Sequence, residues 1–305
     1  PNNTFPNLNN IGEFNSTPVS PHNMIEVDCY ICHSSNKTHY DSENGHNIVK
    51  CGDCDLVYLN PRPGLEEITE ASKSGMHRGD ELLKVTGKFQ NHLKETYLSR
   101  LNDFNYAILF SQNKKVSWLD IGCGHGEFVE TLTTFGGDNI EIIGIEPNVK
   151  KQEGARERGL DIRFFDLETH QEKYDVISAL NVYSHLPNPP EDIAKWCEML
   201  NEGGELLLQT GDSAHLPAKY HHKPYSLPDH LSFTNKKLLI ELLENLGMKV
   251  IQTKNYRMAQ YPVFSPLELV KEVARFFLPG HVATFKFFPK YPDCDMWIRA
   301  KKLTK

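Results

Sequence analysis

Trp118-Leu119-Asp120-Ile121-Gly122-Cys123-Gly124-His125-Gly126-Glu127-Phe128 joins three signals in eleven residues. The short apolar run Val116 to Ile121 has strand length, three glycines follow at alternate positions, and a helical pattern runs from Glu127 to Phe135. Glycine lets the backbone turn sharply and approach a ligand where a Cβ would collide. Any strand-to-helix turn can use glycine, so the motif gains weight only from its surroundings. A second apolar run, Ile140 to Ile145, ends at Glu146, 20 residues beyond Gly126. A carboxylate there can accept hydrogen bonds from both hydroxyls of a ribose. On spacing alone a dinucleotide and S-adenosylmethionine both remain open. A dinucleotide site expects GxGxxG, and this chain carries GxGxG with His125 between the last two glycines.

Outward from this stretch, strand and helix patterns alternate. A helix is expected over Val149 to Arg158, strands over Ile162 to Phe165 and Asp175 to Leu180, and a helix over Ile193 to Leu200. A strand over Glu205 to Gln209, a helix over Lys236 to Leu246, and final strands over Lys249 to Thr253 and Met296 to Ala300 complete the series. Such alternation predicts an α/β fold, a mostly parallel sheet with helices on both faces. Leu65 to Phe110 reads as helical, with Val85, Phe89, Leu93, Tyr97, Leu101, Phe104 and Ile108 forming a core-facing stripe and a possible cap.

Asp120 to Gly126, Gly144-Ile145-Glu146-Pro147-Asn148, Tyr174-Asp175-Val176-Ile177 and Leu200-Asn201-Glu202-Gly203-Gly204 resemble the ordered motifs of class I S-adenosylmethionine-dependent methyltransferases. The resemblance covers roughly Lys115 to Lys302 and implies a Rossmann-like sheet of seven strands. It implies that Gly122, Cys123 and Gly124 line the methionine end of the cofactor, with Asp120 below the glycine loop. Glu146 would hold the ribose, Pro147 flank the adenine, Asp166 accept from the adenine amino group with Leu167 beside the ring, and Asn181 face the donor methyl. Ordinary strand-end capping also accounts for Asp166 and Asn181.

Toward the N-terminus, Cys29-Tyr30-Ile31-Cys32 and Cys51-Gly52-Asp53-Cys54 are separated by 18 residues. That is the spacing of a structural zinc site in which four thiolates leave no open position for water. Domains are expected at 1–24 (a disordered leader, with Met24 a candidate start), 25–62 (zinc ribbon), 63–112 (helical linker or cap) and 113–305 (methyltransferase). Residues 25–58 hold two lysines and no arginine against six acidic residues, which argues against an RNA-reading ribbon, the alternative use of such a module. Together with Asp55 to Pro63, the ribbon resembles a group of bacterial methyltransferases tied to sugar, surface-polysaccharide or natural-product pathways. The expected acceptor is therefore a small molecule, a sugar or sugar derivative.

Gly211 to Thr234 is long and follows the fifth strand, where an α/β sheet opens its crevice. It carries His215, His221, His222 and His230. Leu227-Pro228-Asp229-His230-Leu231-Ser232-Phe233-Thr234 resembles the acidic-residue–His–x–Ser–aromatic stretch of zinc-ribbon sugar C-methyltransferases, where that pair is implicated in proton removal. His230 is thus the candidate base and Asp229 its carboxylate partner, although relatives often carry Glu there. A second metal on His221, His222 and His230 is a weaker alternative, because adjacent histidines rarely converge without helical spacing. The 305 residues are 39% hydrophobic and 24% charged with net charge −7, which suits a soluble globular protein and disfavours a broad phosphate-backbone footprint. No apolar run reaches membrane-spanning length and no secretory signal pattern opens the chain, so a cytoplasmic location is expected. An oligomer is compatible with the segment 256–292, which reads as acceptor cover or dimer surface.

Overall fold

The computed structural model describes residues 24–77, 81–82, 88–111, 114–164, 167, 169–257, 270, 273–274 and 292–304. Residues 1–23 of the expected leader, Val85 of the expected helical stripe, Asp166 and most of 256–292 lie outside the described residues.

Near the N-terminus, β1 (Met24–Ile25), β2 (Lys37–Glu43), β3 (His46–Cys51), β4 (Val57–Leu59) and β5 (Arg62–Pro63) lead into α1 (Leu65–Ser74). Two short strands follow, β6 (Met76–His77) and β7 (Glu81–Leu82), then α2 (Asn91–Asp103) and α3 (Ala107–Phe110). The remaining chain alternates: β8 (Val116–Ile121), α4 (Glu127–Gly136), β9 (Ile140–Ile145), α5 (Val149–Arg156), β10 (Ile162–Arg163), β11 (Tyr174–Leu180), α6 (Pro189–Glu198) and β12 (Leu200–Gly211). It closes with β13 (Ser232–Phe233), α7 (Lys236–Asn245), β14 (Met248–Tyr256) and β15 (Asp295–Lys302).

The main sheet has seven strands in the order β10-β9-β8-β11-β12-β15-β14. The first five are parallel, and β15 inserts antiparallel between β12 and β14, with Leu208 opposite Ile298 and Val250 opposite Ala300. The α/β class and the Rossmann-like, mostly parallel seven-stranded sheet are therefore as expected. β8 is central and covered on both faces, which is why apolar side chains point to both sides of it. Its side chains alternate: Leu119 joins Ile177, Trp196, Leu206 and Leu243 on one face, and Trp118 joins Phe104, Phe128, Leu132 and Trp297 on the other. From β8 the chain winds outward to β9 and β10, then returns to β11 on the opposite side. The strand order thus reverses between β8 and β11, and the crevice beyond their carboxyl ends is where such sheets take ligands.

The helical stripe is only partly observed. Gly75, left-handed at φ 75, stops α1, and α2 begins at Asn91, so Phe89 lies before the helix. Leu101 and Phe104 are buried and Tyr97 packs beside them, but Ile108 is 61% exposed, because the chain turns at Asn105 (φ 57) before α3. A buried pair secures this region to the sheet. Arg299 donates to both carboxylate oxygens of Glu205 at 2.7 and 3.0 Å and to the Phe104 carbonyl, with its guanidinium over the Tyr106 ring.

The cysteine-bearing lobe does not close on itself. Its β2–β3 hairpin turns at Asn44-Gly45, left-handed at φ 52 and 77 as a tight two-residue turn requires. Its four-stranded sheet runs β13-β4-β3-β2, with Ser232 opposite Tyr58 and Phe233 opposite Val57. One strand thus comes from the long segment after β12, about 170 residues downstream, and the sheet crosses the expected boundary at 62/63.

Candidate functional site

Three loops meet at the carboxyl ends of β8 and β11. The first is the glycine loop. Gly122 (φ 67) lies against Val182, whose Cγ2 would sit 2.6 Å from an added Cβ, so no side chain fits. Gly124 (φ 57) has open space where its Cβ would project. That clear space beside left-handed backbone is a cradle a ligand can enter. Cys123 is buried, and its Sγ would sit 2.8 Å from a Cβ at Gly144.

Two buried carboxylates lie at the loop, and Glu146 braces it directly. Glu146 is 4% exposed; its Oε2 accepts from the Gly124 amide at 2.8 Å and its Oε1 from the Asn148 amide at 2.9 Å. Each oxygen keeps a second lone pair, so the group can still accept from a diol. Lys151 Nζ stands 3.9 Å from Glu146 Oε1. Asp120, at the end of β8, is 1% exposed and accepts at 2.5 Å from Ser178 Oγ, which accepts in turn from Trp118 Nε1 at 2.8 Å. Burial, with the nearby Glu146 charge, pushes the Asp120 carboxyl up to about 7, against the pull of the Ser178 hydrogen bond. Pro147 and Leu167 are half-buried, and Leu167 packs on the core face that includes Leu119.

The second loop follows β11. Asn181 takes a left-handed φ of 59 at the strand end, a conformation uncommon outside glycine and tolerated best by Asn and Asp. A short turn over Tyr183–His185 then carries His185, a residue the sequence reading passed over. The third loop is Gly211 to Thr234. Leu231 donates its amide to the Ser184 carbonyl at 2.6 Å and fixes the third loop on the second.

This contact brings His185, Asp229 and His230 together. His185 Nδ1 lies 3.2 Å from Asp229 Oδ1 and 3.2 Å from the Asp229 carbonyl oxygen. The His185 and His230 rings meet edge to face at 4.7 Å. The Asp229 carboxylate therefore hydrogen-bonds His185, whereas the sequence paired it with His230. Burial alone would lower the His185 pKa, but the Asp229 charge and the two hydrogen bonds outweigh it and hold the ring above its ordinary value. His230 moves oppositely: burial and the His185 charge push it down to about 4, with Asp229 opposing. Two adjacent imidazoles with divergent proton affinities are the arrangement that separates acid from base. Val182, which lies against Gly122, stands three residues before His185, so the cluster sits on a loop that borders the glycine loop.

The other histidines do different work. His221 is buried between the rings of Tyr225 (4.9 Å) and Phe233 (4.7 Å), and burial pushes it down to about 4. His215 turns to Asp212, 3.4 Å away. Among the described residues, no group of metal-ligand side chains joins His221 and His222 to His230.

At the other end of the lobe the four Sγ atoms of Cys29, Cys32, Cys51 and Cys54 lie within 4.8 Å of one another. Cys29 stands 3.4 Å from Cys54 and Cys32 stands 3.5 Å from Cys51, far longer than a disulfide bond. Tetrahedral zinc with bonds of about 2.3 Å sets its sulfurs about 3.8 Å apart, so the donor set fits that ion. The residue after each pair, His33 (φ 59) and Asp55 (φ 66), is left-handed, and its amide returns to the carbonyl of the first cysteine. Both pairs thus form the same turn.

A family model described as a methyltransferase domain matches residues 89–253, more than half of the chain. The chain belongs to this methyltransferase-domain family. It is similar to the ubiquinone biosynthesis O-methyltransferase of Shewanella pealeana, at 28% identity over 42% of this chain and 61% of the relative. Its counterpart in Shewanella sp. strain ANA-3 is 29% identical over 44% of this chain and 63% of the relative. The chain thus spans about three fifths of the length of these curated relatives. Among solved structures, magnesium protoporphyrin IX methyltransferase from Synechocystis with bound SAM superposes with a TM-score of 0.48 at 13% identity, over 78% of this chain and 98% of that one.

Proposed function

We propose that this protein transfers a methyl group from S-adenosylmethionine to a small-molecule acceptor, with His185, Asp229 and His230 handling the acceptor's proton. The observation that supports the reading is the His185–Asp229 contact on a loop whose Val182 lies against Gly122 of the glycine loop.

Glu146 would accept from the ribose, and Pro147, Leu167 and Asp166 would border the adenine. Gly122, Cys123 and Gly124 would pass along the methionine portion above Asp120, with Asn181 at the methyl end. Bound there, the sulfonium supplies an already activated methyl group. The chain's task is to align the acceptor atom and hold its proton. Neutral His230 can take that proton from a hydroxyl or an enolisable carbon, a contribution of about 10²–10⁴-fold. His185, whose protonated form Asp229 favours, would place positive charge near the oxygen on which negative charge develops.

The names of the relatives support a small-molecule acceptor. The finer assignment to a sugar-derived acceptor rests on the resemblance of the ribbon and the 227–234 stretch to sugar C-methyltransferases. The cysteine cluster is proposed to hold one structural zinc, whose binding free energy would fold a lobe too small to form its own core. No helix among the described residues is long and apolar enough to cross a membrane.

The test is His230→Ala, assayed by conversion of S-adenosylmethionine to S-adenosylhomocysteine in the presence of a panel of nucleotide-sugar and phenolic acceptors. Turnover should fall by about 10² or more with cofactor affinity unchanged. Unchanged turnover with a raised acceptor KM would make His230 a binding residue and move the base elsewhere.

A further inference from the structure

The segment that carries Asp229 and His230 is held on both sides by the cysteine-bearing lobe. Upstream, the β2–β3 hairpin grips residues 223–227. Glu43 accepts from two backbone amides, Tyr225 on Oε2 at 2.8 Å and Leu227 on Oε1 at 3.2 Å. Asp41 Oδ2 accepts from the Tyr225 hydroxyl at 2.7 Å and from Lys223 Nζ at 2.6 Å, and Asn44 Nδ2 donates to the Leu227 carbonyl at 3.3 Å. Downstream, the Leu59 amide donates to the Leu231 carbonyl at 2.9 Å, and β13 pairs with β4 directly after it. Between the two anchorages only Pro228, Asp229 and His230 remain. Beneath them Ile48, Val57 and Leu59 of the lobe pack with Tyr225, Leu227 and Leu231.

A carboxylate accepting from two backbone amides two residues apart fixes that backbone as a cap fixes a helix end, and charged acceptors make the stronger hydrogen bonds. The hairpin that supplies it is itself tied to the cysteine cluster, since β3 ends at Cys51. We propose that the ribbon is a positioning clamp for the Asp229–His230 segment, with Glu43 the residue that sets the backbone from which Asp229 reaches His185. The inference rests on the reading of those three side chains as the acceptor-side cluster. It gives the ribbon a role inside this chain, with no external partner, and makes metal loading a condition for an ordered site.

The test is Glu43→Gln in the full, zinc-loaded chain. A glutamine keeps one acceptor oxygen and turns an NH₂ toward the other amide, so one of the two bonds becomes a donor–donor contact. Amide hydrogen exchange at Tyr225 and Leu227 should quicken on the order of tenfold or more. The His185 ring, followed by NMR titration, should move down toward the ordinary value of about 6.5 as its contact with Asp229 loosens. The charged groups facing it, Asp229, His230 and Lys151, are all retained, so a move reports position. S-adenosylhomocysteine affinity and one zinc per chain should be unchanged. Asn44→Gly, which suits the left-handed turn and removes a single bond, should give a smaller shift in the same direction and serves if Glu43→Gln fails to fold. Unchanged exchange and an unchanged His185 titration would overturn the clamp. Loss of zinc or of cofactor binding in Asn44→Gly would overturn it in favour of a general folding role. Neither readout depends on turnover, so failure of His230 as a base would leave this result standing.

Discussion

Replacing Asp120 by asparagine should stabilise the ligand-free protein and weaken its grip on the cofactor. The carboxyl is 1% exposed and burial holds it near about 7, against 3.8 for the free group. Three units at 1.36 kcal/mol each amount to about 4 kcal/mol. The sign follows from which form folding prefers. Below pH about 4 the group is protonated in both states and costs nothing. Between about 4 and 7 the unfolded chain ionises it and the folded chain does not, so stability falls as pH rises. Above about 7 the penalty is complete. Asparagine is neutral throughout and still offers an oxygen to Ser178, though its NH₂ must find a partner. The net gain at pH 8 should therefore be about 2–4 kcal/mol, shrinking toward zero near pH 4. Urea unfolding of both proteins at matched pH values cancels effects common to the two. An asparagine variant no more stable than wild type at pH 8, or a difference independent of pH, would refute the reasoning. S-adenosylhomocysteine should bind the variant more weakly if the carboxylate orders the loop and meets the amino group, so stability and binding should move in opposite directions.

Other outcomes follow from the same structure. Wild-type turnover should hold on acidification through pH 6.5 and fall only toward about 4, where His230 takes up a proton; a fall centred at 6.5 would contradict its burial-lowered value. Elemental analysis should find about one zinc per chain, and Cys51→Ser should lose it together with order in the lobe, read by hydrogen exchange; a metal-free chain with a protected lobe would contradict this. Glu205→Gln should destabilise the sheet by about 3–5 kcal/mol in urea unfolding, because Arg299 is left buried without its charge partner. A change below 1 kcal/mol would show that the pair is relaxed by solvent.

The elements around the crevice were legible because local chemistry and burial agree there. β8 and β9 match the expected runs Val116–Ile121 and Ile140–Ile145 residue for residue, since both are apolar runs bounded by Gly, Glu and Asn. Gly122 and Gly124 are left-handed as the turn demands, and Glu146, expected to hold a ribose, accepts from the Gly124 amide of that loop. What escaped depends on contacts between distant residues. His185 and Asp229 are 44 positions apart, and nothing local to Asn181–His185 announces a carboxylate partner. The pairing of Ser232 with Tyr58 joins segments that periodicity treats as separate domains. Phe89 to Ile108 misled for the opposite reason: a helical spacing persisted across the start of α2 and the turn at Asn105, and the outer position Ile108 is solvent-facing.

Calorimetry of S-adenosylmethionine and S-adenosylhomocysteine against the wild-type chain and Glu146→Ala tests the central claim most directly. The account predicts one site per chain in the wild type and a loss of about 1.5–3 kcal/mol in the variant, the range for hydrogen bonds to a charged group. Binding of a nicotinamide dinucleotide in place of either ligand, or unchanged affinity in Glu146→Ala, would contradict it.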